Sequence, residues 1–267
     1  MSHERGEREA PELGLTSYLE FWDPLRRLRE QPSPLCILET KRALVDIYSK
    51  PVPGNYVVTD QDDVTRIQAL LLGPAGTPYE GGFFWFVMRC QPEYPAKPPQ
   101  VRLMTTDGGR VRFGPNFNES GMICLSILGT WPGTTWKPAD RIRGVLNALL
   151  SLMTEEPYFN EPALVKRKEP GEASGYNDYL RHETIRVAVC NTVEACLQNK
   201  APQDPRLQTV ILNAFVELYG KYVELVQGQL HLTGCEMKDP FSSRTVTCRY
   251  HLLLARLQGL YRRIVGE

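Results

Sequence analysis

Apolar residues recur at helical spacing over residues 36–49. One side carries apolar positions, while Lys41 and Arg42 lie on the opposite, polar side. The apolar positions are Ile37, Leu38, Ala43, Leu44 and Ile47. The following loop, residues 50–54, contains two prolines and a glycine, which stop a helix. The pattern therefore predicts an amphipathic helix that ends at Ser49.

Four short runs rich in β-branched and aromatic residues come next, separated by turns rich in Gly, Pro and Asp. The runs are Tyr56–Thr59, Arg66–Leu72, Phe83–Arg89 and Val101–Met104. A helix followed by a four-stranded meander predicts an α+β domain with an antiparallel sheet.

The second half of the chain is predicted to be mainly helical. A buried helix is expected around residues 142–153, with Pro138 in its first turn, and a second helix from Tyr176 to Leu197 after a polar loop at residues 169–175. Beyond a proline-containing break at residues 200–205, two amphipathic helices follow, joined by a loop that contains Asp239-Pro240-Phe241. These helices pack on each other or on the core, or present a coiled-coil partner site.

Three segments are predicted from this pattern. Residues 1–34 form an N-terminal extension that is partly mobile, residues 35–200 form the core domain, and residues 201–267 form a helical extension packed on the core. The aromatic patch at residues 18–22 is either an arm laid across the core or a mobile tail.

The amino-acid composition argues against several classes of partner and location. The 267 residues carry 31 basic and 31 acidic side chains, so the formal charge gives no reason to expect nucleic acid or an anionic membrane as partner. No run of eighteen apolar residues and no signal-peptide pattern is present. The sequence predicts a soluble, intracellular monomer, with the cytoplasm as its location and the nucleus left open.

Seven cysteines form no CxxC pair, and an odd number without metal-ligand spacing predicts free thiols rather than disulfides or a zinc site. No metal is expected. Six of the seven are predicted to be packing residues. The seventh, Cys124, lies in the segment from Arg112 to Leu125, RFGPNFNESGMICL.

In that segment Asn116 precedes Cys124 by eight residues. A nucleophilic thiol in acyl transfer needs access and a hydrogen-bond donor for the developing charge, and the Asn116 amide is a candidate for that donor or for holding the loop. Taken alone, a cysteine between Ile and Leu is more typical of a buried packing residue.

The segment resembles the active-site stretch of ubiquitin-conjugating enzymes, in which His-Pro-Asn precedes Gly-x-(Ile/Val)-Cys-Leu. Here Gly114 takes the place of the family histidine, and residues 121–125 read GMICL. Turns at residues 77–84 and 94–99 match the family in order, and residues 126–131 together with the helical C-terminal extension resemble its Z-type members. The resemblance implies the ubiquitin-conjugating (UBC) fold.

It also implies that Cys124 accepts ubiquitin or a ubiquitin-like modifier from an activating enzyme as a thioester and passes it to a substrate lysine. ATP is then used by the activating enzyme, and this chain needs no cofactor. Glu161 aligns with the acidic residue that positions and deprotonates the lysine, unless it is only a solvated loop acid. Asn160 is a possible helper.

Two alternatives remain at this stage. One is a non-catalytic ubiquitin-binding variant of the same fold, and the other is a Cys–His hydrolase that would need a histidine beside Cys124. The family presents its first helix and two loops to the activating enzyme and the ubiquitin ligase. Here these positions are Lys41, Arg42, Ala96, Pro138 and Ala139. Because Ala96 offers little apolar area, weak binding to RING-type ligases is expected, and the Z-type resemblance implies a non-standard activating enzyme.

Overall fold

The structure is a computed structural model that describes residues 22–26, 30–165 and 171–266. Most of the predicted N-terminal extension, including the aromatic patch up to residue 21, lies outside the described residues, as does the start of the predicted polar loop at residue 169. Within the described residues, no helix is both long enough and apolar enough to cross a membrane.

The first helix and the sheet confirm the predicted α+β order. Helix α1 spans Pro34–Ser49, and it begins where the Ser33 hydroxyl accepts a hydrogen bond from the Cys36 amide at 3.1 Å. The strands are β1 (Asn55–Thr59), β2 (Arg66–Leu72), β3 (Phe83–Arg89) and β4 (Gln100–Leu103). They form one antiparallel sheet in the order β1-β2-β3-β4, so each strand lies beside its neighbour in sequence.

Strand β3 explains why its sequence is apolar without alternation: both of its faces are covered. Phe84, Phe86 and Met88 face a cluster that includes α1, whereas Phe83 and Trp85 face a second cluster built with the C-terminal helices. A strand covered on both faces needs apolar side chains at successive positions rather than at alternate ones.

Helix α2 spans Arg141–Ser151, which places Pro138 in the preceding turn and not in the first helical turn that the sequence suggested. Two 3₁₀ turns, Ser126–Leu128 and Pro157–Asn160, flank it, and the short helix α3 covers Pro162–Val165. Asp140 Oδ2 accepts from the Lys137 amide at 2.9 Å and so fixes the turn before α2.

A long helical run follows. It comprises α4 (Glu172–Glu183), a π-helical stretch (Thr184–Asn191) and α5 (Thr192–Leu197). The expected polar loop at residues 169–175 is wrong from Glu172 onward, where the chain is already helical. Gly171, with φ +93°, allows the chain to turn into that helix.

The C-terminal segment contains α6 (Pro205–Gly228), a 3₁₀ turn (Leu230–Leu232), β5 (Glu236–Lys238), β6 (Thr245–Thr247) and α7 (Tyr250–Val265). Both predicted helices are present. The predicted connection also contains two short strands that the sequence did not indicate, β5 and β6, which pair as an antiparallel hairpin with Asp239-Pro240-Phe241 in its turn.

Helices α6 and α7 pack against each other and against the outer face of the sheet. Leu70 and Trp85 of the sheet share a buried cluster with Leu207, Phe215 and other residues of the two helices. The Tyr222 hydroxyl also donates to the Gly81 carbonyl at 2.7 Å, across the turn between β2 and β3. The predicted boundary between the core domain and the C-terminal extension at residue 200 stays a prediction. The two segments pack against each other across it.

Candidate active site

The backbone around Cys124 is tied to the turn that contains Asn116. The Cys124 amide donates to the Asn116 carbonyl at 2.9 Å, and Asn116 Nδ2 donates to the Cys124 carbonyl at 3.0 Å. A bridge between Phe117 and Ile123 closes the loop behind them. Asn116 therefore holds the loop, while its Oδ1 is buried and has no hydrogen-bond partner among the described residues.

Thr130 forms hydrogen bonds with the residues on both sides of the cysteine, a role that the sequence did not suggest. Its hydroxyl donates to the Ile123 carbonyl and accepts from the Leu125 amide, the latter at 3.0 Å. One hydroxyl thus fixes the residues on both sides of Cys124. The only sequence signal was the position of Thr130 in the SILGTW stretch after the cysteine.

Gly114 is accommodated by its surroundings. Its φ of +132° is one that L side chains rarely adopt, and a Cβ there would lie 2.9 Å from the Tyr79 hydroxyl. That hydroxyl donates to the Phe113 carbonyl at 2.7 Å. Arg112 adds hydrogen bonds to the carbonyls of Gly114 at 3.0 Å and Pro115 at 2.7 Å. Tyr79 and Arg112 support the turn without a histidine at position 114.

The Cys124 thiol is half-buried, and burial raises its pKa above the ordinary cysteine value. The positive charge of Arg112 opposes this shift, and the negative charge of Glu161 adds to it. Among the described residues, the charged groups that act on this thiol are an arginine and a carboxylate, and no histidine contributes to the pKa shift. This arrangement gives no support to a Cys–His hydrolase.

The other cysteines separate into two kinds. Five are buried, and burial raises the pKa of each: Cys36, Cys90, Cys190, Cys196 and Cys248. Cys235 is exposed, so the expectation that six cysteines are packing residues is wrong for this one. All seven are free, and within the described ranges no cluster of three His, Cys, Asp or Glu side chains could hold a metal ion.

Glu161 lies between the 3₁₀ turn at residues 157–160 and helix α3, and it is partly exposed. Its Oε1 accepts a long hydrogen bond of 3.4 Å from the Ala163 amide, which is the one hydrogen bond of this carboxylate among the described residues. Asn160 has a structural task, because its Nδ2 donates to the Leu152 carbonyl at 2.8 Å. The charge of Glu161 therefore acts on the Cys124 thiol, whereas the Asn160 amide is hydrogen-bonded to the backbone at Leu152.

We use the term partner-facing surface for Lys41, Arg42, Ala96, Pro138 and Ala139. All five are exposed. The two loops of this surface are joined, because Trp136 Nε1 donates to the Pro95 carbonyl at 2.7 Å and its ring lies 6.2 Å from that of Tyr94. Exposed Leu38, Val45 and Tyr48 extend the surface along α1.

Comparison with known proteins matches the fold and this site to one family. The family model described as ubiquitin-conjugating enzyme matches residues 39–182, which include the sheet, Asn116, Cys124 and Glu161. The chain belongs to the ubiquitin-conjugating enzyme family. The family fold is the UBC fold predicted from the sequence.

Several relatives resemble the chain far beyond that region. Ubiquitin-conjugating enzyme E2 Z of Homo sapiens is 48% identical over 252 residues, covering 93% of this chain and 70% of that protein. Its namesake in Xenopus tropicalis is 44% identical over 259 residues, covering 96% of this chain and 82% of that protein. The similarity to E2 Z therefore includes most of the C-terminal extension.

A third relative matches a shorter stretch. The dual E2 ubiquitin-conjugating enzyme/E3 ubiquitin-protein ligase BIRC6 of Homo sapiens is 37% identical over 149 residues, which is 52% of this chain and 3% of that protein. Together the relatives identify this member of the family as a ubiquitin-conjugating enzyme, and none of them favours a non-catalytic variant.

Proposed function

We propose that this ubiquitin-conjugating enzyme carries its modifier, ubiquitin or a ubiquitin-like protein, as a thioester on Cys124 and transfers it to a lysine amine. The observation that supports the proposal most strongly is the Cys124 thiol itself. It is partly accessible, and Asn116 and Thr130 fix the backbone on both sides of it. A reacting atom held in this way loses little orientational freedom when the acyl group arrives.

The first step is an exchange of thioesters. The Cys124 thiolate attacks the carbonyl carbon that joins the modifier to a cysteine of the activating enzyme, and that cysteine leaves as a thiolate. The positive charge of Arg112 favours the Cys124 thiolate, against the effect of burial. One thioester is broken and one is made, so this step needs no ATP and no cofactor on this chain.

The second step forms the amide. The neutral lysine amine attacks the carbonyl carbon of the Cys124 thioester, the attacking nitrogen, now positively charged, loses a proton, and the C–S bond breaks to release the Cys124 thiolate. Glu161 is the carboxylate proposed to position this amine and receive the proton. A carboxylate favours the charged ammonium, so desolvation of the lysine must contribute to lowering its pKa. Asn116 stabilises the oxyanion or holds the loop around it.

The activating enzyme and the ligase are proposed to bind the partner-facing surface. The activating enzyme is proposed to be of the non-standard type. We also propose that the protein is monomeric and acts in the cytoplasm, with a nuclear location left open. Because Ala96 is small, RING-type ligases are expected to bind weakly, and the modifier is whichever protein the activating enzyme delivers.

A charging assay tests the proposal. The protein is mixed with ATP, ubiquitin or a ubiquitin-like protein, and each activating enzyme in turn, and is analysed on non-reducing gels. The expected result is a shifted band that reductant abolishes, that Cys124→Ala lacks, and that Cys124→Ser converts into a reductant-resistant ester. Cys235→Ser is the matched control because this exposed cysteine lies outside the site. If the band persists in Cys124→Ala, the acyl group is on another residue and the proposal is wrong.

A further inference from the structure

A side chain of the core and a turn of the C-terminal extension meet beside the active-site motif. Arg112 uses two of its nitrogens on the Gly114 and Pro115 carbonyls, and its third, Nη1, donates to the Phe241 carbonyl at 3.2 Å. The guanidinium also lies 5.5 Å from the centre of the Phe241 ring, which is cation–π distance. Phe241 belongs to the turn of the β5–β6 hairpin.

The hairpin turn is itself rigidly built. The buried Asp239 carboxylate accepts from the Phe241 amide at 3.0 Å and from the Ser242 hydroxyl at 2.7 Å. The Asp239 backbone amide donates to the Arg244 carbonyl at 2.9 Å. Arg244 Nη1 then donates to the Arg110 carbonyl at 2.7 Å, two residues before Arg112. Hydrogen bonds within the turn therefore hold its shape, and the bond from Arg244 attaches it to the segment just before the active-site motif.

The Phe241 ring reaches the other side of the site as well. Its centre lies 5.9 Å from the ring of Tyr158 and 5.2 Å from the ring of Tyr176. Tyr158 is part of the 3₁₀ turn that directly precedes Glu161. One ring thus contacts both the 3₁₀ turn that precedes the acidic residue and the arginine that holds the motif turn.

From these contacts we propose that the C-terminal extension completes the active site, with Phe241 seating Arg112 so that its guanidinium holds the turn at residues 114–116. Arg112 and Phe241 are positioning residues, since both act through the backbone of the motif. The inference rests on the transfer function proposed above. It gives the extension a task in the chemistry, in addition to covering the sheet.

The arrangement depends on the planar guanidinium group of arginine. Its planar fork satisfies three carbonyls in different directions, which a lysine ammonium on a flexible stem cannot do with the same geometry. Its positive charge also lowers the pKa of the Cys124 thiol, and the charge of Glu161 opposes this effect. Shape and charge can therefore be separated by experiment, because Arg112→Lys keeps the charge and loses the fork.

The test uses the full chain with Arg112→Ala, Arg112→Lys, Phe241→Ala and the double variant Arg112→Ala/Phe241→Ala. The matched control is Tyr219→Ala, which removes a ring that stacks on Tyr261 within the extension and does not touch the site. Melting temperatures are recorded for all variants. Phe241→Leu, which keeps apolar bulk without the aromatic face, is measured as well in case Phe241→Ala does not fold.

The first measurement is the rate of Cys124 alkylation by iodoacetamide against pH, followed by mass spectrometry of the Cys124 peptide. It requires no modifier. We expect Arg112→Ala to move the profile to higher pH, because the thiolate loses a nearby positive charge, and Phe241→Ala to move it in the same direction. Arg112→Lys should restore the profile, and Tyr219→Ala should leave it unchanged.

The second measurement is single-turnover charging and discharge to free lysine. Arg112→Ala and Phe241→Ala should each slow transfer between about 10- and 100-fold, with the double variant no slower than Arg112→Ala alone. Arg112→Lys should remain slow, because the fork is lost. Additive effects, or a Phe241→Ala effect equal to that of Tyr219→Ala, would overturn the inference. If the wild type does not charge, the proposed function fails, while the alkylation profiles still test the coupling.

Discussion

The active-site segment, residues 112–125, and the partner-facing surface differ in how many contacts they make with the rest of the protein. The segment is fixed by side chains from elsewhere in the chain, such as Tyr79, Thr130 and the Phe241 turn. The partner-facing surface consists of exposed side chains on the first helix and on two loops. Substitutions in the segment should therefore change rates of chemistry, whereas substitutions on the surface should change affinity and leave the fold intact.

The largest effect is expected for Asn116→Ala. The variant loses the amide that donates to the Cys124 carbonyl, and removal of an active-site donor of this kind costs roughly 10²–10³-fold in rate. Single-turnover charging and lysine discharge should both slow, and the melting temperature should fall, because the loop loses a brace. Asn213→Ala, at an exposed position of α6, is the control. A slowed discharge with unchanged melting and charging would assign the amide to the oxyanion alone.

The buried network around Glu183 should weaken in acid. Burial alone would raise the pKa of Glu183, but hydrogen bonds from His182 and Arg186 bring it down to about 2. Since the pKa is lower in the folded than in the unfolded state, this carboxylate stabilises the protein at neutral pH. That contribution, a few kcal/mol, should be lost as the pH falls from about 4.5 toward about 2.

Urea unfolding at a series of pH values measures this dependence. Glu183→Gln should be less stable at neutral pH and should show a flatter acid profile. Glu194→Gln, which removes a partly exposed partner of Arg256, should keep the wild-type slope. The network also holds Asp107, in the loop after β4, through Arg186 at 3.0 Å. Equal slopes for the wild type and Glu183→Gln would show that Glu183 is not the titrating group.

A more selective effect is expected for Glu161→Gln. General bases contribute roughly 10²–10⁴-fold, and a partly exposed carboxylate should lie at the low end, so lysine discharge should slow by about 10²-fold. Charging should not slow, because it needs no lysine. Glu156→Gln, an exposed acid five positions earlier, is the control. Equal slowing of charging and discharge would place the defect in the loop rather than in deprotonation.

The smallest effect concerns the partner-facing surface. Ala96→Phe should tighten binding to RING-type domains by about 1–3 kcal/mol, because an aromatic ring adds apolar area that alanine lacks. That corresponds to roughly 5- to 150-fold in Kd, measured by calorimetric titration of a panel of such domains. The melting temperature should stay the same, and Ala75→Phe, on the exposed turn after β2, should not change Kd. Micromolar binding of several domains by the wild type would contradict the premise.

Local patterns predicted most elements because the causes of those elements are local. Two predicted strands, residues 66–72 and 83–89, have the observed bounds, and α1 begins two residues earlier than expected, at a serine cap followed by proline. The β5–β6 hairpin was missed because each strand has only three residues, which is too short a run for polar-apolar alternation to indicate a strand. Its stability comes from Asp239 and from packing on the core, neither of which a local pattern reports.

The sequence by itself determined the nucleophile candidate, the order of the elements and the family resemblance, because residue type, periodicity and motif spacing are properties of the chain. Only the tertiary structure decided how the site is held. Thr130, Arg112 and Phe241 act through hydrogen bonds and ring contacts that depend on direction and distance, and Arg112 and Phe241 are 129 positions apart in sequence. Contacts of that separation form only when the sheet, the helices and the hairpin have packed together.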